Sequence, residues 1–322
     1  NPNALPIDDN GHGTSTAGVI ATIIKKVEYN LNDSNIKIMP IKVLDSNGEG
    51  NIEDIENGIQ LAMDNGCKII LLSLGLHYDS INIKEVIEKA EKSNVLIVSA
   101  TGNDGQGVQF PAAYSTVLGV GGLDDNGNIV KASSYGSEID VVAAWNVYTT
   151  IIGGGFDYKM GSSMAAPQVA AVASLILREN PDFKPYQIRN LIRQKTKKLS
   201  NLDWNEHSGY GMLDVYKVLN EPYFEDMYES NNSKKDAKQL PFNKMTVAQL
   251  KNDDKSDWYY LDSRFEGHLT LFFSTESSIR ISVISDSESI TKNVSSTSQI
   301  DFSLSKGTTY IHLEFLVSDS IN

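Results

Sequence analysis

The sequence has one cysteine, Cys67, which excludes an internal disulfide and a cysteine-built metal site. No apolar run approaches the roughly 18 residues a membrane helix requires. Basic residues are outnumbered, 28 Lys and Arg against 41 Asp and Glu, for a net charge of −13. So acidic a chain is a poor grip for phosphate backbones, and nucleic acid is not expected as a partner. No internal repeat stands out. An initiator Met is also lacking: the chain opens Asn1-Pro2-Asn3, and we read an upstream segment as either removed or left out of this sequence. The chain is not short of core material. Hydrophobic residues make up 40% and charged residues 21% of 322, enough for one large domain and a smaller one.

From about residue 14 to 219, helical and strand patterns alternate. Residues 37–43 read as a strand. Ile55, Ile59 and Ala62 recur at helical spacing, and Gly66 stops that helix. Residues 68–73 and 95–99 are fully apolar strands with an amphipathic helix, 83–93, between them. Further strands are expected near 117–120 and 139–143, then helices over 163–178 and 185–196. Continuous apolar strands separated by helices imply a parallel sheet buried on both faces, an α/β class. Past residue 219 the helical periods stop. A polar, acidic stretch to about 236 reads as a linker, and short strands at 258–261, 268–273, 280–283 and 310–315 read as a small all-β sandwich. The expected domains are therefore 1–219 and 220–322.

Four short motifs carry chemistry. Asn10-Gly11-His12-Gly13-Thr14 puts a histidine in a glycine-flanked turn at a helix start, where it is either a general base or a plain cap residue. Gly161-Ser162-Ser163-Met164-Ala165-Ala166-Pro167 crowds small residues at the start of a long apolar helix. A serine there stands among unsatisfied N–H groups at the positive end of the helix dipole, which suits a nucleophile whose attack creates an oxyanion, and equally an ordinary cap. Ser99-Ala100-Thr101-Gly102-Asn103 and Leu72-Ser73-Leu74-Gly75 both lie just past the carboxyl ends of apolar strands, where open α/β sheets hold ligands. Each signal is weak alone. In this order, on these elements, they become specific.

Together the motifs resemble the subtilisin-like serine proteases, the subtilases, over residues 8 to about 219. The resemblance implies a subtilisin-like fold and a serine endopeptidase. It assigns His12 as general base, Ser163 as nucleophile, and the Asn103 side chain with the Ser163 N–H as oxyanion donors. It implies that an extended peptide or protein substrate pairs with Gly48-Glu49-Gly50 on one edge and Ser73-Leu74-Gly75 on the other. Gly102, Asp104 and Gln109 match the neighbourhood of the pocket for the residue before the scissile bond. Gln109 stands where family members that take large apolar residues usually have Gly, so a polar or basic residue is expected there; the alternative is that Asp104 and Gln109 face solvent. The family's acid falls well before its histidine. Only 11 residues precede His12, and Asp8 and Asp9 match the loop into the His helix rather than the triad acid. We therefore expect the triad Asp to lie upstream of Asn1.

The stretch 21–35 lacks the spelling of the family's tight calcium loop, so no metal is assigned to specific residues. Calcium elsewhere stays open, and no other cofactor is expected. The tail resembles the bacterial pre-peptidase C-terminal type through Glu229-Ser230-Asn231-Asn232-Ser233 and Asp257-Trp258-Tyr259-Tyr260. These resemblances imply a secreted bacterial enzyme made as a zymogen, its own N-terminal pro-segment being one partner. Lantibiotic leader-peptide proteases are one such subgroup. The rival expectation is a catalytically dead pseudoprotease acting as a binding or regulatory protein.

Overall fold

A computed structural model describes residues 7–27, 36–250, 254–275, 277–286 and 288–316. The chain divides into two compact units, Asn1–Tyr223 with Asn243–Met245, and Phe224–Phe242 with Thr246–Asn322.

The first unit runs α1 (His12–Val27), α2 (Ile52–Asp64), β1 (Ile69–Leu72), α3 (Ile81–Lys92), β2 (Leu96–Ala100), β3 (Leu118–Leu123), β4 (Val141–Ala144), β5 (Asn146–Thr150), β6 (Phe156–Met160), α4 (Ser162–Glu179), α5 (Pro185–Gln194) and α6 (Val215–Asn220). Strands β1 to β4 pair in parallel, in chain order. Successive side chains of a strand face opposite ways, and here both ways are apolar. Leu96, Val98 and Ala100 join one core with Val169, Val172 and Ile176 of α4. Ile97 joins the other with Ile55 and Ile59 of α2 and Ile83 and Ile87 of α3. That is why the strands read as unbroken apolar runs. Helix α2 starts where the Asn51 side chain accepts the Asp54 N–H at 2.8 Å.

The segment 37–43 is a correction. It joins no ladder among the described residues, and Ile38 and Met39 are exposed. Its β-branched residues suit a strand, but strand structure needs a partner edge, which composition does not reveal. The antiparallel pair β5–β6 was not anticipated; its tip is Gly153-Gly154-Gly155. Of the stretch 21–35, residues 28–35 lie outside the described residues.

The second unit is all-β: β7 (Lys238–Gln239), β8 (Ser256–Ser263), β9 (Gly267–Phe273), β10 (Ile279–Ile284), β11 (Ser289–Val294), β12 (Ser298–Leu304) and β13 (Gly307–Phe315). One sheet is ordered β11-β10-β13-β8-β7, and β12 pairs with β9. Tyr259, Ile281 and Ile311 from the larger sheet share one apolar cluster with Ile300 and Phe302 from the smaller. Strands β11 and β12 were not anticipated: β11 offers only Ile290 and Val294 as apolar residues, while β12 does alternate, with Ile300, Phe302 and Leu304 buried between exposed polar residues.

Candidate active site

Helix α4 opens at Gly161, whose φ of 133° lies in the region glycine favours. A Cβ there would stand 3.1 Å from Asn103 Nδ2. Ser163 follows in the first turn, half-buried, with its N–H among those that have no intrahelical acceptor. Its carbonyl faces the opposite shortage. Pro167, four residues on, has no N–H to give it, and the Ser73 hydroxyl donates instead at 3.0 Å. Ser163 Oγ in turn donates to the Ser73 carbonyl at 3.4 Å. Ser163 is thereby tied to the end of β1.

Asn103, past the end of β2, is held by its oxygen. Oδ1 accepts from the Ser162 N–H at 2.9 Å and from Ser162 Oγ at 2.7 Å, and Ser162 Oγ accepts the Gly102 N–H at 3.2 Å. This fixes which way the amide points: the carbonyl is committed inward, and the Nδ2 donor belongs to an exposed residue. In the sequence Ser162 is one of the small residues crowded at the helix start, and nothing there marks it as the clamp on Asn103.

His12 opens α1 and is half-buried. Burial lowers its pKa from the ordinary value, against the pull of the Asp8 charge, so the ring is neutral at neutral pH. Asp8 caps the helix. Its Oδ1 accepts the Gly11 N–H at 2.8 Å and its Oδ2 accepts the Thr14 N–H at 2.7 Å and Thr14 Oγ1 at 2.6 Å. Burial works to raise the Asp8 pKa, but the Thr14 hydroxyl and the backbone N–H groups overcome it and hold the carboxyl at about 2. No hydrogen bond joins Asp8 to the His12 ring, and no carboxylate among the described residues makes one. Nor does a hydrogen bond join His12 to Ser163. Helix α1 packs on α4 and β5, and Thr150 Oγ1 donates to the Thr14 carbonyl at 2.7 Å, pinning the turn after His12 to the pair β5–β6 that leads into Gly161. Catalytic contacts are often open without substrate and tighten when it binds.

The two expected edges are placed separately. Gly48, Glu49 and Gly50 are exposed at a turn closed by the Asp45 N–H on the Glu49 carbonyl (2.8 Å), and Asn10 Nδ2 ties that turn to the His12 loop through the Ser46 carbonyl (2.9 Å). Ser73, Leu74 and Gly75 continue β1 toward Ser163. Gln109 lies across Gly75 and Gly102: a Cβ on either glycine would strike its side chain. Its Nε2 donates to Asp104 Oδ2 at 3.0 Å, and Ser134 Oγ donates to Asp104 Oδ1 at 2.8 Å. The Ser134 hydroxyl, with the Gln106 N–H, keeps Asp104 ionised below the usual carboxylate range. Asp104 and Gln109 are thus bonded to each other beside Asn103, with His77 Nδ1 at 3.7 Å from Asp104.

A hydroxyl at a helix start, an oriented carboxamide beside it and a neutral imidazole on the neighbouring helix are the parts of an acyl-transfer site. Residues 1–211 match the Subtilase family, and the chain belongs to it. Alkaline elastase YaB of Bacillus sp. (strain YaB) is 39% identical over 196 residues, 60% of this chain and 52% of that protein. Subtilisin DY of Bacillus licheniformis is 35% identical over 214 residues, 65% of this chain and 77% of that protein. Among solved structures, a lanthipeptide protease superposes with a TM-score of 0.58 at 27% identity, covering 65% of this chain and 74% of that one. The prenylagaramide maturation protease PagA gives 0.53 at 25%, covering 65% and 81%. The chain spans about half the length of curated relatives such as the elastase.

Proposed function

We propose that the protein is a serine endopeptidase that cleaves through an acyl-enzyme on Ser163. His12 Nε2 or Nδ1 takes the Ser163 proton as Oγ attacks the scissile carbonyl. The new oxyanion is held by Asn103 Nδ2 and the Ser163 N–H. The proton passes from His12 to the leaving amine, and a water, deprotonated by His12, releases the acyl group. The observation that carries this reading is the Ser162 clamp, which spends the Asn103 oxygen and leaves its amide N–H beside Ser163. We assign the acid that orients His12 to residues outside the described set.

The substrate in this reading is an extended peptide laid between Gly48-Glu49-Gly50 and Ser73-Leu74-Gly75. The ionised Asp104, with Gln109 across the glycines, favours a basic or polar residue before the cut. Similarity to a lanthipeptide protease and to a prenylagaramide maturation protease supports peptide maturation; we place it outside the cell, with a pro-segment removed beforehand, on the resemblance to the subtilases alone. A peptide-library cleavage profile of the full-length protein tests this, with Ser163→Ala as control. Cuts after Arg, Lys or polar residues that vanish in the control are expected. Cuts after large apolar residues would contradict the pocket assignment. The second reading, a pseudoprotease that binds peptides without cutting them, is favoured by the lack of a carboxylate hydrogen-bonded to His12 among the described residues. It predicts no turnover at all.

A further inference from the structure

A general base works only from the right place, and the place of His12 is set by the helix that carries it, α1. Three hydrogen bonds run between the first turn of that helix and the end of β5. Thr149 Oγ1 donates to the Ser15 carbonyl at 2.7 Å, and Thr150 Oγ1 donates to the Thr14 carbonyl at 2.7 Å. Ser15 Oγ donates back to the Thr150 carbonyl at 3.0 Å. A carbonyl inside a helix gives one lone pair to the helix's own N–H and keeps a second, so both threonines bind α1 without breaking its ladder. Thr149 and Ser15 are fully buried, which keeps water from competing for these bonds. Gly18, one turn further on, makes the room: a Cβ there would run into both threonine hydroxyls.

The other side of this joint leads to the nucleophile. Strand β5 turns back into β6, and β6 ends at Met160, beside Gly161 and the start of α4. Helix α1 also packs on α4 directly. Apolar packing is non-directional and lets a helix slide or roll by fractions of an ångström. Hydrogen bonds to two consecutive carbonyls do not, because those carbonyls stand about 100° apart around the helix axis and about 1.5 Å apart along it. The pair of threonines therefore fixes both the rotation and the rise of the turn that bears His12, measured from the strand pair that bears Ser163.

We propose that Ser15, Thr149 and Thr150 are positioning residues for the peptidase reaction: their hydroxyls form a joint that holds His12 where it can take the Ser163 proton. The joint acts through His12 alone and so rests on the reading of His12 as general base. Misplacement of a reacting group by about 1 Å can cost roughly 10²-fold in rate.

The test compares two variants of the full-length protein. Thr149→Val removes the hydroxyl and keeps the side-chain shape; Thr149→Ser keeps the hydroxyl. Peptide hydrolysis gives kcat and KM, and a fluorophosphonate gives the labelling rate of Ser163. Thr149→Val is expected to lower kcat and the labelling rate about 10–10²-fold with KM little changed, and Thr149→Ser to recover most of that loss. Once the imidazole is gone the joint has nothing to position. In a His12→Ala background, Thr149→Val is therefore expected to slow the residual labelling no further. A merely structural role would cost the same factor in both backgrounds. If Thr149→Val fails to fold, Thr150→Val at the half-buried neighbour makes the same comparison, with Thr150→Ser as its rescue. Equal losses with and without His12, or valine variants labelled as fast as the parent, would overturn the joint and leave the peptidase reading standing. A parent never labelled at Ser163 would overturn both.

Discussion

Asn103 does its proposed work with one N–H, and Ser162 decides where that N–H points. Asn103→Ala removes the donor without touching Ser163 or His12. Steady-state kinetics on a cleaved peptide are expected to show kcat down about 10²–10³-fold with KM little changed, the loss that follows removal of one such donor in subtilisin. In the proposed mechanism His12 sets the pH dependence. The base must be neutral, so kcat/KM rises with pH as the ring loses its proton, and burial places that midpoint below the usual 6.5. An acid limb centred above 6.5 would contradict the burial argument. At this scale the sequence is readable where a residue's local setting comes from its neighbours in the chain. His12, Asn103 and Ser163 sit in short motifs whose glycines and small residues show the local geometry. The Ser73 hydroxyl was not legible in the same way. Its role depends on Pro167 lacking an N–H for the Ser163 carbonyl, a relation between two segments that meet only in the folded chain.

Helix α1 carries His12 on its first turn, so the cap on that turn matters beyond its own stability. Asp8→Ala strips acceptors from the Gly11 and Thr14 N–H groups and is expected to cost about 1 kcal/mol in chemical denaturation. The sign with pH follows from the lowered pKa: the contribution is present above the unfolded value of 3.8 and fades as pH falls toward about 2. A second element-scale device is an ionic knot behind the sheet. Asp140, fully buried next to β4, accepts from Arg193 of α5 (2.8 Å), Lys244 (2.8 Å) and the Gly119 N–H (2.7 Å). Lys244→Ala removes one partner and leaves the buried charge under-compensated, so a loss of about 3–5 kcal/mol is expected in urea unfolding of the first unit. Nothing in the sequence marked Lys244. It lies in the span 220–322 read as the second domain, and a lysine's burial depends on finding a carboxylate elsewhere. The segment 37–43 failed in the opposite direction, having strand composition without a paired edge.

For the molecule as a whole, the α/β architecture was legible because its strands are apolar on both faces and its helices on one, and such patterns leave few packings open. The all-β second unit was legible in class but not in strand count: β11 has only two half-buried apolar residues, four positions apart, and the alternation of β12 is confined to Ile300, Phe302 and Leu304. The proposed chemistry needs the first unit to bring hydroxyl, imidazole and carboxamide into one reactive site. Treating the full-length protein with a fluorophosphonate and mapping the adduct by peptide mass spectrometry probes this at the nucleophile itself. A single modified residue, Ser163, is expected, with labelling slowed by orders of magnitude in His12→Ala. An unmodified Ser163, or labelling at the same rate without His12, would contradict it.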